Sequence, residues 1–299
     1  MTFRRWVWMT FALVLAGSAL VGFISYAWDL FGVFRDTHGR SLTVYENERT
    51  AKFLLNERYV PQNFDALLIG TSISSNWKTS MIHAAHIYNE SVDGANSAEE
   101  KLLVDQALPE GHFKYALAVL IPFMTQPHQF NEGGLGQPTH REAIGSINIL
   151  REEWNALLVN THHQGRQFYP DGSKLLNAPK GAPGLFPTSS LVIDPEQLAA
   201  YQQMIEELRH NGASIIFVIP PVYGATYRSA AEPLDQYFRQ TRLVRPGDQV
   251  IDFNGPAYGA FCNRVENFDD GIHLSEAASV ELSAMLDREL QQRIAGASK

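Results

Sequence analysis

The chain is poor in the residues that build several common kinds of site. It has one cysteine, Cys262, in 299 residues. That excludes an internal disulfide framework and any thiolate metal cluster. Positive charge is scarce: 24 Lys and Arg stand against 32 Asp and Glu, a formal charge of -8. Nucleic acid is therefore not expected as a partner. No internal repeat or low-complexity tract stands out. The glycines make no phosphate-binding run, and "GGLG" at 133–136 follows no strong strand and opens no helix directly. His162 and His163 are adjacent but lack a carboxylate or third histidine at ligand spacing, and His83 and His86 read as surface residues. No metal and no cofactor is expected.

What is present begins with one long apolar run. Arg4 and Arg5 precede an uncharged stretch from Trp6 to Trp28, roughly 23 residues and long enough to cross a bilayer as a helix. Trp6, Trp8, Tyr26 and Trp28 sit where interfacial rings are expected. A cleaved signal peptide is the rival reading, but Tyr26-Ala27-Trp28 is a poor cleavage site. The terminal charges favour a cytoplasmic start, with Arg35 and Arg40 weakening the bias. The expectation is an inner-membrane, single-pass protein anchored by residues 6–28, with everything after Trp28 in the periplasm or outside the cell. The remaining chain divides into a juxtamembrane connector, 29–60, with a polar helix around Tyr45 to Asn56, and a globular domain, 61–299. A composition 45% hydrophobic suits such a core.

Short apolar runs at Ala66–Ile69, Ile87–Asn89, Tyr115–Ile121, Ser214–Ile219 and Val250–Phe253 read as strands buried on both faces. Helical patterns separate them. Ser97-Ala98-Glu99-Glu100 reads as a capping box, Asp194-Pro195 as a cap and first turn, and Ser275 as the start of the last helix, with Ala278, Leu282, Met285, Leu286 and Leu290 on its buried side. Strands alternating with helices predict an α/β fold with a parallel sheet of about five strands, a flavodoxin-like three-layer sandwich. About 70 residues between Ile121 and Asp194 break the rhythm, an insertion over about 125–193 with a helix near 141–159 and a Pro- and Gly-rich remainder that reads as a lid or a mobile loop.

Chemistry is expected beyond the carboxyl ends of the strands. "FDALLIGTSISSNW", residues 64–77, ends a strand at Gly70 and then sets Thr71, Ser72, Ser74 and Ser75 in a cluster. Such a cluster is an ordinary turn or a nucleophile at a sheet edge. "NFDDGIHLSEAAS", residues 267–279, sets Asp270 three residues before His273. Serine needs a base to take its proton, and the base needs a carboxylate to fix its tautomer. Asp269 is one residue further from His273, and spacing alone does not separate it from Asp270. Tyr223, Tyr227 and Arg228 follow the fourth strand, where they would contact a sugar or simply pack the loop.

With Gly70-Thr71-Ser72 after the first strand, Tyr88 to Gly94 after the second, and Asp270-Gly271-Ile272-His273 before the last helix, the sequence resembles the SGNH (GDSL-like) hydrolase superfamily. Within it the chain is most similar to the membrane-anchored branch tied to O-acetylation of polysaccharides such as alginate. The resemblance implies catalytic Ser72, His273 and Asp270, with the Ser72 and Gly94 amides forming an oxyanion hole. It implies as partners an acylated polysaccharide or acyl donor and a multi-spanning membrane acyltransferase. Thr71 stands where many members have aspartate. The usual third block, Gly-x-Asn-Asp, is missing, and Ile121-Pro122-Phe123-Met124-Thr125 occupies its place. Asn96 and Asn131 are candidate replacements for the lost donor, and Asn96, Tyr223 and Arg228 are candidate substrate contacts. The implied activity is a serine esterase or O-acyltransferase; the alternative is an inert SGNH-like glycan-binding or scaffold module.

Overall fold

Four consecutive apolar residues, Ala66–Ile69, form β1, and all four are buried. Neighbouring strand residues face opposite ways, so burial of both Leu67 and Leu68 means that the sheet is covered on both sides. Each such side chain contributes roughly 1.5–3 kcal/mol. The other strands of this sheet are β2 (Ile87–Asn89), β3 (Tyr115–Val119), β4 (Ser214–Ile219) and β5 (Gln249–Asp252). In this computed structural model, which describes residues 2–42, 44–45, 48–127, 167–175 and 181–297, the five strands are parallel and ordered β2-β1-β3-β4-β5. Leu67 pairs with Tyr88 on one side and Ala116 on the other. The chain therefore moves outward in one direction after β1 and in the other after β2, which opens a crevice above the carboxyl ends of β1 and β3.

The helices are α1 (Phe3–Trp28), α2 (Glu48–Asn63), α3 (Ser97–Ala107), α4 (Pro195–His210), α5 (Ala231–Thr241) and α6 (Glu276–Ala297), with shorter turns between them. α2, α3 and α4 pack side by side. Ala278, Leu282, Leu286 and Leu290 of α6 lie buried in the main core, as its stripe predicts. Asp194 caps α4 by accepting from the Glu196 and Gln197 amides.

Several expectations shift. α2 starts and ends later than expected and is not a free connector: Leu54, Leu55 and Tyr59 are core residues. The cap of α3 is Asn96 with Glu99, not Ser97 with Glu100, because the Ser97 hydroxyl donates instead to Met124 O at 2.7 Å. β3 stops two residues early, where Pro122 opens a tight turn, Pro122–Thr125. β5 slips back by one residue. The helix near 141–159, Asn131, the 133–136 loop and His162-His163 lie outside the described residues.

α1 has a mean hydropathy of 2.1 in its most apolar stretch and is long enough to span a membrane. It does not end on a free linker. Asp29 adopts a left-handed φ of 47° and its amide closes the last turn on Ser25 O. Its buried carboxylate accepts from the Phe34 and Arg35 amides and from Arg40 Nη1 at 3.2 Å. Thr37 and Gly39 then bond Gln62 and Asn63 at the end of α2.

Candidate functional site

The turn after β1 is built around a close approach. Gly70 lies against Val119 of β3 and the Ser74 hydroxyl, where a Cβ would collide. Ser74 Oγ donates to Thr71 O and meets Ser91 Oγ at 2.7 Å, while Ser75 Oγ donates to Ser72 O at 3.0 Å. The Ser74 and Ser75 hydroxyls therefore hold the turn, and Ser72 alone of the three serines reaches across the crevice.

The second segment is a tight loop. Phe268 and Leu274 bridge its ends, Asp269 N donates to His273 O at 2.9 Å, and Gly271 takes a φ of 99° at the bend. That value belongs to the left-handed region, which glycine enters without a Cβ penalty. The bend folds Asp270 back on the residues that follow it: Oδ1 accepts from the Ile272 and His273 amides at 3.0 and 2.8 Å, and Oδ2 lies 2.7 Å from His273 Nδ1. The opposite ring nitrogen, Nε2, lies 2.9 Å from Ser72 Oγ, although the residues are 201 positions apart. Asn76 clasps the two segments by donating to Leu274 O at 2.8 Å.

Asp270, rather than Asp269, is thus the carboxylate that meets the ring. Burial alone would push its carboxyl up. The hydrogen bonds from the His273 ring and the His273 and Ile272 amides outweigh burial, and the carboxyl is held below its ordinary value of 3.8. An ionised acceptor on Nδ1–H leaves Nε2 as the acceptor for the serine proton.

Ser72 and His273 line a cleft of about 210 Å³ with Gly94, Asn96, Phe123 and Ile272. None of its described lining residues is an Asp, Glu, Lys or Arg. Asn96 Oδ1 accepts from the Glu99 amide, which caps α3, and the residue lines the cleft. Tyr223 and Arg228 are not among the described lining residues: Tyr223 packs 6.0 Å from the Phe268 ring, and Arg228 is exposed. Among the described residues no group of three or more His, Cys, Asp or Glu is disposed to hold a metal. The loop after β3 delivers Phe123 and Gln126 to the cleft. Sequence reasoning passed over Gln126, which lies just beyond the block it compared, and over Asn76, whose partner is 198 positions away.

No family model matches the chain, and no curated protein matches it. Among solved structures it is similar to a protein from Streptococcus pneumonia provisionally described as a platelet activating factor, at 16% identity and a TM-score of 0.45, over 81% of this chain and 91% of that one. It is also similar to a provisionally described acylhydrolase from Bacteroides fragilis, at 9% identity and a TM-score of 0.38, over 76% of this chain and 86% of that one. A third is a GDSL-like lipase from Bacteroides thetaiotaomicron, at 9% identity and a TM-score of 0.38, over 76% and 88%. The chemistry of this chain rests on its own side chains.

Proposed function

We propose that the protein is an SGNH-type serine acyl-ester hydrolase or O-acyltransferase, held by α1 on the outer face of the inner membrane and acting on acetyl esters of envelope polysaccharide. The observation that carries this reading is the unbroken line from Ser72 Oγ through His273 to Asp270, with links of 2.9 and 2.7 Å. Those are the distances at which a base takes a hydroxyl proton.

Ser72 Oγ attacks the ester carbonyl carbon while its proton passes to His273 Nε2. Asp270 keeps Nδ1–H oriented and stabilises the imidazolium. The amides of Ser72 and Gly94 receive the oxyanion, and preorganised donors of this kind supply a large part of such rates. The tetrahedral intermediate then collapses, the C–O bond to the leaving alcohol breaks, and His273 returns the proton to that oxygen. Water resolves the acyl-serine in an esterase, and a sugar hydroxyl does so in a transferase.

A small cleft whose described lining residues carry no Asp, Glu, Lys or Arg suits a neutral, short acyl group. Retention of α1 is supported by Asp29 and Ser25, which are buried at the junction and are lost or exposed in a cleaved chain. The acyltransferase partner in the membrane follows only from the resemblance. One observation favours the inert glycan-binding reading: Ile121-Pro122-Phe123-Met124-Thr125 stands in place of the block that would carry an asparagine donor.

Hydrolysis of p-nitrophenyl acetate by the full chain in detergent, with Ser72→Ala as control, separates the two. The expected result is turnover abolished by the substitution. An inert wild-type chain favours the binding module.

A further inference from the structure

The loop between β2 and α3 brings Gly94 and Asn96 to the cleft, and ionisable side chains hold its backbone. Lys52 Nζ donates to Asn89 O and Ser91 O at 2.7 and 2.6 Å. Glu100 accepts from the Val92 amide and Glu48 from the Asp93 amide, each at 3.1 Å. Arg49 Nη2 donates to Asp93 O at 3.2 Å. Glu99 accepts from the Asn96 amide at 3.4 Å. The side chains come from α2 and α3, and Lys52 and Glu100 are fully buried. Burying such groups is costly unless each is paired and bonded. Ordinary packing of the loop, Val92 and Ala95 against Leu103, needs none of them.

The contact to Asp93 O bears most directly on the cleft. The Asp93–Gly94 peptide is trans, so its C=O and N–H point in opposite directions. With the carbonyl turned to Arg49, the Gly94 N–H is turned away from the charged cluster, and Gly94 lines the cleft. Arg49 is itself braced: its Nε and Nη2 both meet the Glu99 carboxylate, at 2.9 and 3.3 Å. Glu99 in turn belongs to the capping box that sets Asn96. A planar, two-point ion pair fixes direction as well as distance.

We propose that Arg49 is a positioning residue for the reaction. Acting through Asp93 O, with Glu99 as its brace, it orients the Gly94 N–H toward the oxyanion that forms on the acylating ester. This rests on the serine acyl-transfer reading above. Arg49 does not touch the substrate; it sets the plane of the peptide that does. A donor displaced by an ångström loses about a hundredfold in rate, and the loss falls on the transition state rather than on ground-state binding.

The test measures kcat and KM for p-nitrophenyl acetate, with melting curves, for the full chain and its Ser72→Ala, Arg49→Met, Arg49→Lys and Glu99→Gln variants. Arg49→Met is expected to lower kcat roughly tenfold to a hundredfold with KM within about twofold. Arg49→Lys keeps a donor for Asp93 O and is expected to recover part of that loss, whereas a purely structural role leaves no kcat-specific rescue. If Arg49→Met does not fold, Arg49→Lys and Glu99→Gln are judged by the same kcat-specific loss. Folded variants with wild-type kcat, or with a loss confined to KM, overturn the inference alone. A wild-type chain that does not turn over the ester overturns the acyl-transfer reading and this inference with it.

Discussion

Asp270 at the cleft and Glu90 beneath the neighbouring loop are both carboxylates withdrawn from water, yet they behave oppositely. Three donors converge on Asp270, two amides and a ring nitrogen, and its carboxyl is held low. Glu90 is fully buried, takes one bond from Asn56 at 2.9 Å, and leaves Oε2 without a partner. Burial pushes it up to about 7, with Lys52 and Asn56 only partly offsetting the loss of water. Glu100 follows the same rule: it is buried, one oxygen is unpartnered, and its carboxyl is raised well above the ordinary range. Burial acts in the same direction on all three. The number of donors aimed at each carboxylate decides which stays ionised.

The largest test of that contrast is Asp270→Asn. The amide cannot stabilise an imidazolium, and the expected loss in kcat is roughly a thousandfold or more, read from ester hydrolysis. Because the Asp270 carboxyl is held below its ordinary value, the acid limb it gives the wild-type rate is expected at lower pH than that of an unperturbed carboxylate. Glu90→Gln comes next and acts on stability. A raised folded value means that the native state keeps its proton longer than the unfolded chain does. The stability Glu90 contributes is therefore complete below its ordinary 4.5 and is lost as pH rises through about 7. The full difference is on the order of 3 kcal/mol. Glu90→Gln is expected to flatten the fall in urea-unfolding stability between those values; an unchanged slope breaks the comparison. The smallest effect belongs to Asp269→Asn. Asp269 meets His273 through its backbone, so hydrolysis is expected to stay within about twofold of wild type, the range of an ordinary surface substitution.

These two regions also differ in how far they could be read from sequence. The cleft was largely legible because its parts are local. A buried run ending at Gly70, and a three-residue step from Asp270 to His273, describe a strand end and a tight loop before any coordinates. The sheet was legible for the same reason: β1 is apolar throughout and β4 is apolar wherever it is buried. Where strand ends were misplaced, the side-chain pattern outran the regular ladder. Leu120 N still donates to Val218 O and Phe253 N to Ile219 O, beyond the regular ladders. The cluster under the loop was not legible. Glu48, Arg49 and Lys52 sit in a helix whose polarity reads as a solvated surface, and only the tertiary placement of α2 against α3 buries Lys52 and partly covers Glu48 and Arg49. Asn96 and Ser97 are both good helix caps, and the carbonyl of Met124, far along the chain, decided between them.

The junction at Asp29 has a consequence for any reaction at a bilayer. A floppy leash would let the domain roam and present its opening at every angle. On the proposed reading, in which α1 spans the bilayer, a splinted one makes the domain inherit the tilt and roll of that helix. A partner diffusing in the same sheet of lipid would then meet the opening from one compass bearing, and loosening the Asp29–Arg40 clasp would blur that bearing while leaving the chemistry of a freely dissolved ester untouched.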